Sequence, residues 1–71
     1  MEIEIKYCIK WNFEPAAAGL AEELRNTLGV ESKLVPGPHG IFDVVIDGQT
    51  VFSRFTERRL PEPGEVSRNL K

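Results

Sequence analysis

The chain has 71 residues, 41% hydrophobic and 28% charged, with a net charge of -2 and one cysteine. That length predicts a single domain over residues 1–71, near the lower limit at which a core stabilises itself without staples, and the apolar share is too high for disorder. The acidic balance argues against general nucleic-acid binding, which needs a basic surface to release counterions from phosphates.

From Ile3 to Tyr7 apolar and charged residues alternate, with Ile3, Ile5 and Tyr7 on one face and Glu2, Glu4 and Lys6 on the other. This is the period of a strand with one covered face. The stretch Tyr7-Cys8-Ile9-Lys10-Trp11-Asn12-Phe13 then marks the change from an extended to a helical pattern. Ala17, Leu20, Ala21, Leu24 and Leu28 line one side of a helix of about three to four turns. Asn12 reads as its N-cap, Glu14 as a first-turn acid, Pro15 as a residue suited to that turn, and Gly29 as the stop. Val30 to Val35 read as a second strand, closed by Pro36-Gly37-Pro38, a breaker cluster that no regular element is expected to span. Ile41 to Ile46 and Thr50 to Phe55 flank Asp47-Gly48, the favoured signal for a tight hairpin with positive φ in its turn. Beyond Pro61-Glu62-Pro63, Val66 and Leu70 are four apart and predict a short C-terminal helix. The order strand, helix, strand, strand, strand, helix predicts an α+β fold, a mixed sheet with helices packed on it.

Cys8 has two readings. It is a reactive thiol whose pKa is lowered by a helix end and by Lys10, or a small buried apolar residue at a strand terminus. Trp11 is either a recognition aromatic or a plug for the junction; Phe13 fits the plug better. His39, in Pro38-His39-Gly40, reads first as a solvated loop residue and second as a proton carrier at the junction. Arg54, Arg58 and Arg59 with Lys33 suggest a cationic patch, but Glu57, Glu62 and Glu65 lie among them, so a mixed solvated face is the better account. Glu22 and Glu23 diverge by about 100° around the helix and read as surface. One cysteine with one histidine makes neither an internal disulfide nor a four-ligand zinc site, so no metal or cofactor is expected. No apolar run approaches the ~20 residues that cross a bilayer, and Met1-Glu2-Ile3-Glu4 is acidic where a signal peptide is basic. A cytoplasmic protein without membrane contact is expected.

These residues resemble the selenoprotein W-like proteins, the Rdx family, which have a thioredoxin-like fold. The resemblance rests on Ile5-Lys6-Tyr7-Cys8, on Ala17 with Leu20-Ala21-Glu22-Glu23-Leu24, and on a distal block. That block is Gly40-Ile41-Phe42-Asp43-Val44, Asp47-Gly48, Val51-Phe52-Ser53-Arg54 and Arg59-Leu60-Pro61. The family usually places a second redox cysteine three residues after the first; here that position is Trp11. Phe13 stands where the family has an aromatic, and Ala16 where it often has an arginine. The resemblance implies redox activity, and this chain keeps one sulfur for it.

The expectation is a small thioredoxin-like protein with Cys8 as a monothiol nucleophile, forming a reversible mixed disulfide with glutathione or a redox partner protein. Trp11 and Phe13 would be docking aromatics, and Pro38, His39 and Gly40 the neighbouring wall. Cys8 should be partly accessible, and more acidic than a free thiol because it lies near the N–H groups of the long helix. The alternative is a non-enzymatic interaction module that keeps the fold without redox activity. A homodimer, bridged by Cys8 or joined at a sheet edge, is a third reading.

Overall fold

The alternation at the start of the chain becomes a central strand, β1 (Ile3–Cys8), in a computed structural model that describes residues 1–69. Helix α1 (Glu14–Leu28) follows, then β2 (Ser32–Gly37), β3 (Phe42–Ile46) and β4 (Gln49–Ser53), and the short helices α2 (Arg54–Glu57) and α3 (Glu65–Asn69). The sheet order is β2-β1-β3-β4, with β2 parallel to β1 and the other neighbours antiparallel. The helical crossover makes the parallel pair, and the hairpin makes one antiparallel pair. This is the expected mixed α+β architecture.

The helix buries Ala17, Leu20 and Leu24, and packs Ala21 and Leu28 partly against the same core. From the sheet come Ile3, Ile5, Tyr7, Phe42, Val44, Ile46 and Phe52, and from α3 Val66. Gly29 closes α1 in the left-handed region at φ 71°, its N–H bonding the Arg25 carbonyl, which is the terminus expected of glycine. Asp47 and Gly48 both have positive φ, 51° and 82°. With Ile46 opposite Gln49, they form the two-residue turn that matches strand twist. Asp47 also accepts a bond from the Glu2 N–H at 2.8 Å, tying the hairpin to the start of β1.

Four expectations need correction. Asn12 is not the N-cap: Phe13 holds that place, with no side-chain capping bond, and Asn12 has another role described below. Strand β2 runs through Pro36 and Gly37, because it lies at the sheet edge, where one rim carries no ladder and a missing N–H is tolerated. The second hairpin strand stops at Ser53, and Arg54–Glu57 turn into α2, closed by Arg58 at φ 61°. Its ladder with β3 shifts register between Val44 and Val45, which face Phe52 and Thr50 and leave Val51 as the extra residue. Glu23 is not free surface: its Oε1 accepts the Gly64 N–H at 2.8 Å, fastening the segment before α3 to α1.

Helix α3 fits the expected C-terminal helix, with Val66 buried, while Leu70 lies outside the described residues. Arg59 grips Glu65 through two bonds of 2.6 and 2.7 Å. That pairing and the Glu62 N–H hold the Glu65 carboxyl down at about 2. The mixed-charge account of this face therefore holds for Arg59. Among the described residues, no helix is long and apolar enough to cross a membrane.

Candidate functional site

After β1 the chain reverses in a compact turn fixed by two nested backbone bonds, Asn12 N–H to the Ile9 carbonyl at 2.9 Å and Phe13 N–H to the Cys8 carbonyl at 3.1 Å. This pattern needs a residue in the left-handed region at its closing position, and Asn12 has φ 60°. Asparagine is among the side chains that enter that region most readily. The turn leaves the backbone N–H groups of Lys10 and Trp11 near the Cys8 thiol, where they favour its ionised form. A third N–H comes from Gly40, in the loop between β2 and β3. That loop folds back closely on β2: a Cβ on Gly37 would meet Ile41 Cγ2 at 2.7 Å. Glycine at position 37 is what admits the Ile41 side chain there.

Burial pushes the Cys8 thiol up, but the N–H groups of Gly40, Trp11 and Lys10, with the Lys10 ammonium, outweigh it and bring the thiol below its ordinary value. The expected acidity therefore has a different source. Its donors lie in the turn and the facing loop, ahead of α1, and are not the first-turn N–H groups of the helix. The expected accessibility fails: Cys8 is 1% exposed. It is nevertheless outside the apolar core cluster, covered where backbone N–H groups surround the sulfur. Cys8 is thus buried as a structural cysteine is, with backbone N–H groups nearby that favour its ionised form.

Trp11 is 53% exposed and stands beside this turn. Its ring meets Phe13 edge-on at 5.9 Å, and Phe13 meets the fully buried Phe42 in the same way at 6.1 Å. The three rings run from the surface to the core, with half-buried Phe13 in the middle. Gly40, at φ 73°, lies against the tryptophan, since a Cβ there would come within 3.0 Å of the Trp11 ring. A side chain at position 40 would disturb the thiol's third donor and the Trp11 face together. Pro38 and His39 are exposed on the same loop, so of the expected wall it is Gly40 that reaches the sulfur.

Arg54, read from the sequence as part of a mixed solvated face, instead stands over Trp11. Its guanidinium lies over the Trp11 ring at 4.7 Å and the Phe13 ring at 5.6 Å, with Nη1 3.5 Å from the Gly40 carbonyl. The signal was in the hairpin register: with Ser53 opposite Asp43, the next residue falls beside the loop that precedes β3. A separate groove of about 340 Å³ opens between α1 and the segment before α3, lined by Gly19, Leu20, Glu23, Phe42, Leu60 and Pro61 among others. It shares the inner wall of the aromatic row, at Phe42, and does not include Cys8.

Comparison with known proteins bears on the family and the fold. A crystal structure of a protein from Bordetella parapertussis is similar at 30% identity, covering 97% of this chain and 91% of that one, with a TM-score of 0.91. A selenoprotein W-related protein from Vibrio cholerae is similar at 29% identity, covering 97% and 90%, with a TM-score of 0.90. No curated protein matches the chain. The model of the Rdx family matches residues 2–71, nearly the whole length. With its mixed sheet, its crossover helix and a cysteine at the end of β1, the chain belongs to the Rdx family and has the thioredoxin-like fold of the selenoprotein W-related proteins.

Proposed function

We propose that this Rdx protein has a redox-associated function carried by the single thiol of Cys8. What supports this most strongly is membership of the Rdx family with a cysteine at the end of β1, together with the Gly40, Trp11 and Lys10 N–H groups that lower the pKa of that thiol. Backbone donors stabilise a thiolate, and the thiolate is the nucleophile. Trp11 occupies the position of a resolving cysteine, so exchange stops at a mixed disulfide. The thiolate attacks one sulfur of glutathione disulfide or of a partner's disulfide. The S–S bond breaks, one half stays bonded to Cys8, and the other leaves as a thiolate. An external thiol reverses the step. Because Cys8 is 1% exposed, exchange requires the cover around the turn to open. A reducing cytoplasm suits a protein that works through one free thiol.

Incubation with glutathione disulfide should add a single glutathionyl mass to the wild type and none to Cys8→Ser. A dithiol should then restore the starting mass. Failure of the folded wild type to form the adduct removes the thiol reading. The low exposure of Cys8, beside an exposed Trp11, favours a second reading, a non-enzymatic docking module. In that case Cys8→Ser leaves partner binding intact, while Trp11→Ala weakens it.

A further inference from the structure

We infer that Arg54, stacked on Trp11, is the specificity-determining residue of the thiol site and selects disulfides that carry a carboxylate. The inference rests on the thiol reading above and extends it to what the site recognises. Two arginines at the opposite ends of the α2 segment, Arg54 and Arg59, have different fates. Arg59 spends its guanidinium on Glu65, with Glu57 at 3.9 Å. Among the described residues, no carboxylate lies within ion-pair distance of Arg54. Its charge is instead held by two aromatic faces, and the one polar contact described for its side chain is the long one from Nη1 to the Gly40 carbonyl. A guanidinium has five N–H donors in a rigid fork, so most of that fork is left for an incoming acceptor. Stacking fixes its plane before anything binds, which lowers the entropy lost when a carboxylate docks.

Gly40 links this cation to the chemistry. Its N–H favours the ionised form of the Cys8 thiol, its carbonyl faces Arg54, and its α-carbon lies against the Trp11 ring. One residue therefore separates the nucleophile from the cation, and Trp11 fills the space that a resolving cysteine would otherwise take. A disulfide that reaches Cys8 passes beside the Arg54 fork. The arrangement favours an anionic reactant and disfavours a cationic one.

The test uses three small symmetric disulfides of similar size: anionic dithiodipropionate, neutral hydroxyethyl disulfide and cationic cystamine. Adduct formation at Cys8 is followed by intact mass, with each protein's rate for the neutral reagent as its own reference. Wild type should favour the anionic over the cationic reagent by roughly tenfold at low salt, the scale of one charge-assisted contact, and the ratio should shrink as salt rises. Arg54→Gln should bring the ratio close to one, and Arg54→Lys should retain part of it. Equal rates for all three reagents on the wild type overturn the inference, as does a preference that survives Arg54→Gln, which would assign it to Lys10. Iodoacetamide separates the two levels of the argument. If it labels Cys8 and no charge preference exists, this inference alone fails; if folded wild type resists both iodoacetamide and the disulfides, the thiol reading fails with it.

Discussion

Phe42→Ala is expected to lower the free energy of unfolding by about 3–5 kcal/mol, the range for emptying a buried aromatic site. Phe42 is fully buried, pairs with Tyr7 across the β1–β3 ladder, and forms the inner end of the aromatic row that carries Trp11. A chain of this length has only roughly 4–10 kcal/mol in total, so the variant should be barely folded at room temperature. Leu24→Ala, on the helix side of the same core, should cost about 2–5 kcal/mol. By contrast, Phe55→Ala removes a ring that is 57% exposed and should stay within about 0.5 kcal/mol. Urea unfolding of the variants measures the differences. A loss under about 1 kcal/mol at Phe42 would mean that the core does not close around it.

Trp11→Cys is expected to change the chemistry outright, from a protein with one free thiol to one that forms an intramolecular disulfide. The nested bonds from Asn12 to Ile9 and from Phe13 to Cys8 hold the turn tight. Positions 8 and 11 should therefore have Cα atoms within the ~4.4–6.8 Å that a disulfide spans. After mild oxidation, thiol titration should find no free sulfur in the variant and one in the wild type. The same substitution removes the platform under Arg54, so any charge preference of the reduced variant should fall too. A variant that folds, keeps two thiols after oxidation and forms only mixed disulfides would show that the turn has been rebuilt around tryptophan.

Much of this architecture was legible because its signals are local. Alternation at Ile3, Ile5 and Tyr7, the apolar stripe from Ala17 to Leu28, Gly29 as a stop and Asp47-Gly48 as a turn each depend on a few adjacent residues. The misreadings share one origin, that tertiary context decided the outcome. Pro36-Gly37 reads as a breaker in isolation and becomes strand at a sheet edge, where β1 supplies the only ladder. Asn12 has the chemistry of an N-cap, but the same short side chain also tolerates positive φ, and closing the turn under Cys8 required the latter. Glu23 was assigned to solvent because its partner, the Gly64 N–H, lies 41 residues away.

The site divides in the same way. Cys8, Trp11 and Phe13 were singled out because they lie within one short stretch and because tryptophan stands where a second cysteine would. Their environment depended on long-range geometry. The third donor to the sulfur is Gly40 and the cation over the tryptophan is Arg54, both far along the chain and brought in by the pairing of β3 with its neighbours. Sequence distance also concealed how deeply Cys8 would be covered. A strand-end residue facing away from Ile5 and Tyr7 reads as open until the loop from β2 to β3 is laid across it.

The N–H groups near Cys8 lower the pKa of its thiol despite burial. The most direct measurement is the pH dependence of iodoacetamide alkylation at Cys8, taken on the folded protein and on the same protein unfolded in urea. Labelling of the folded chain should be slower in absolute terms because of burial, yet have a midpoint clearly below the free-cysteine value near 8.5, while the unfolded chain returns to about that value. A folded midpoint at or above the unfolded one, or labelling that proceeds only after global unfolding, would contradict it and leave Cys8 a packing residue in a redox-derived fold.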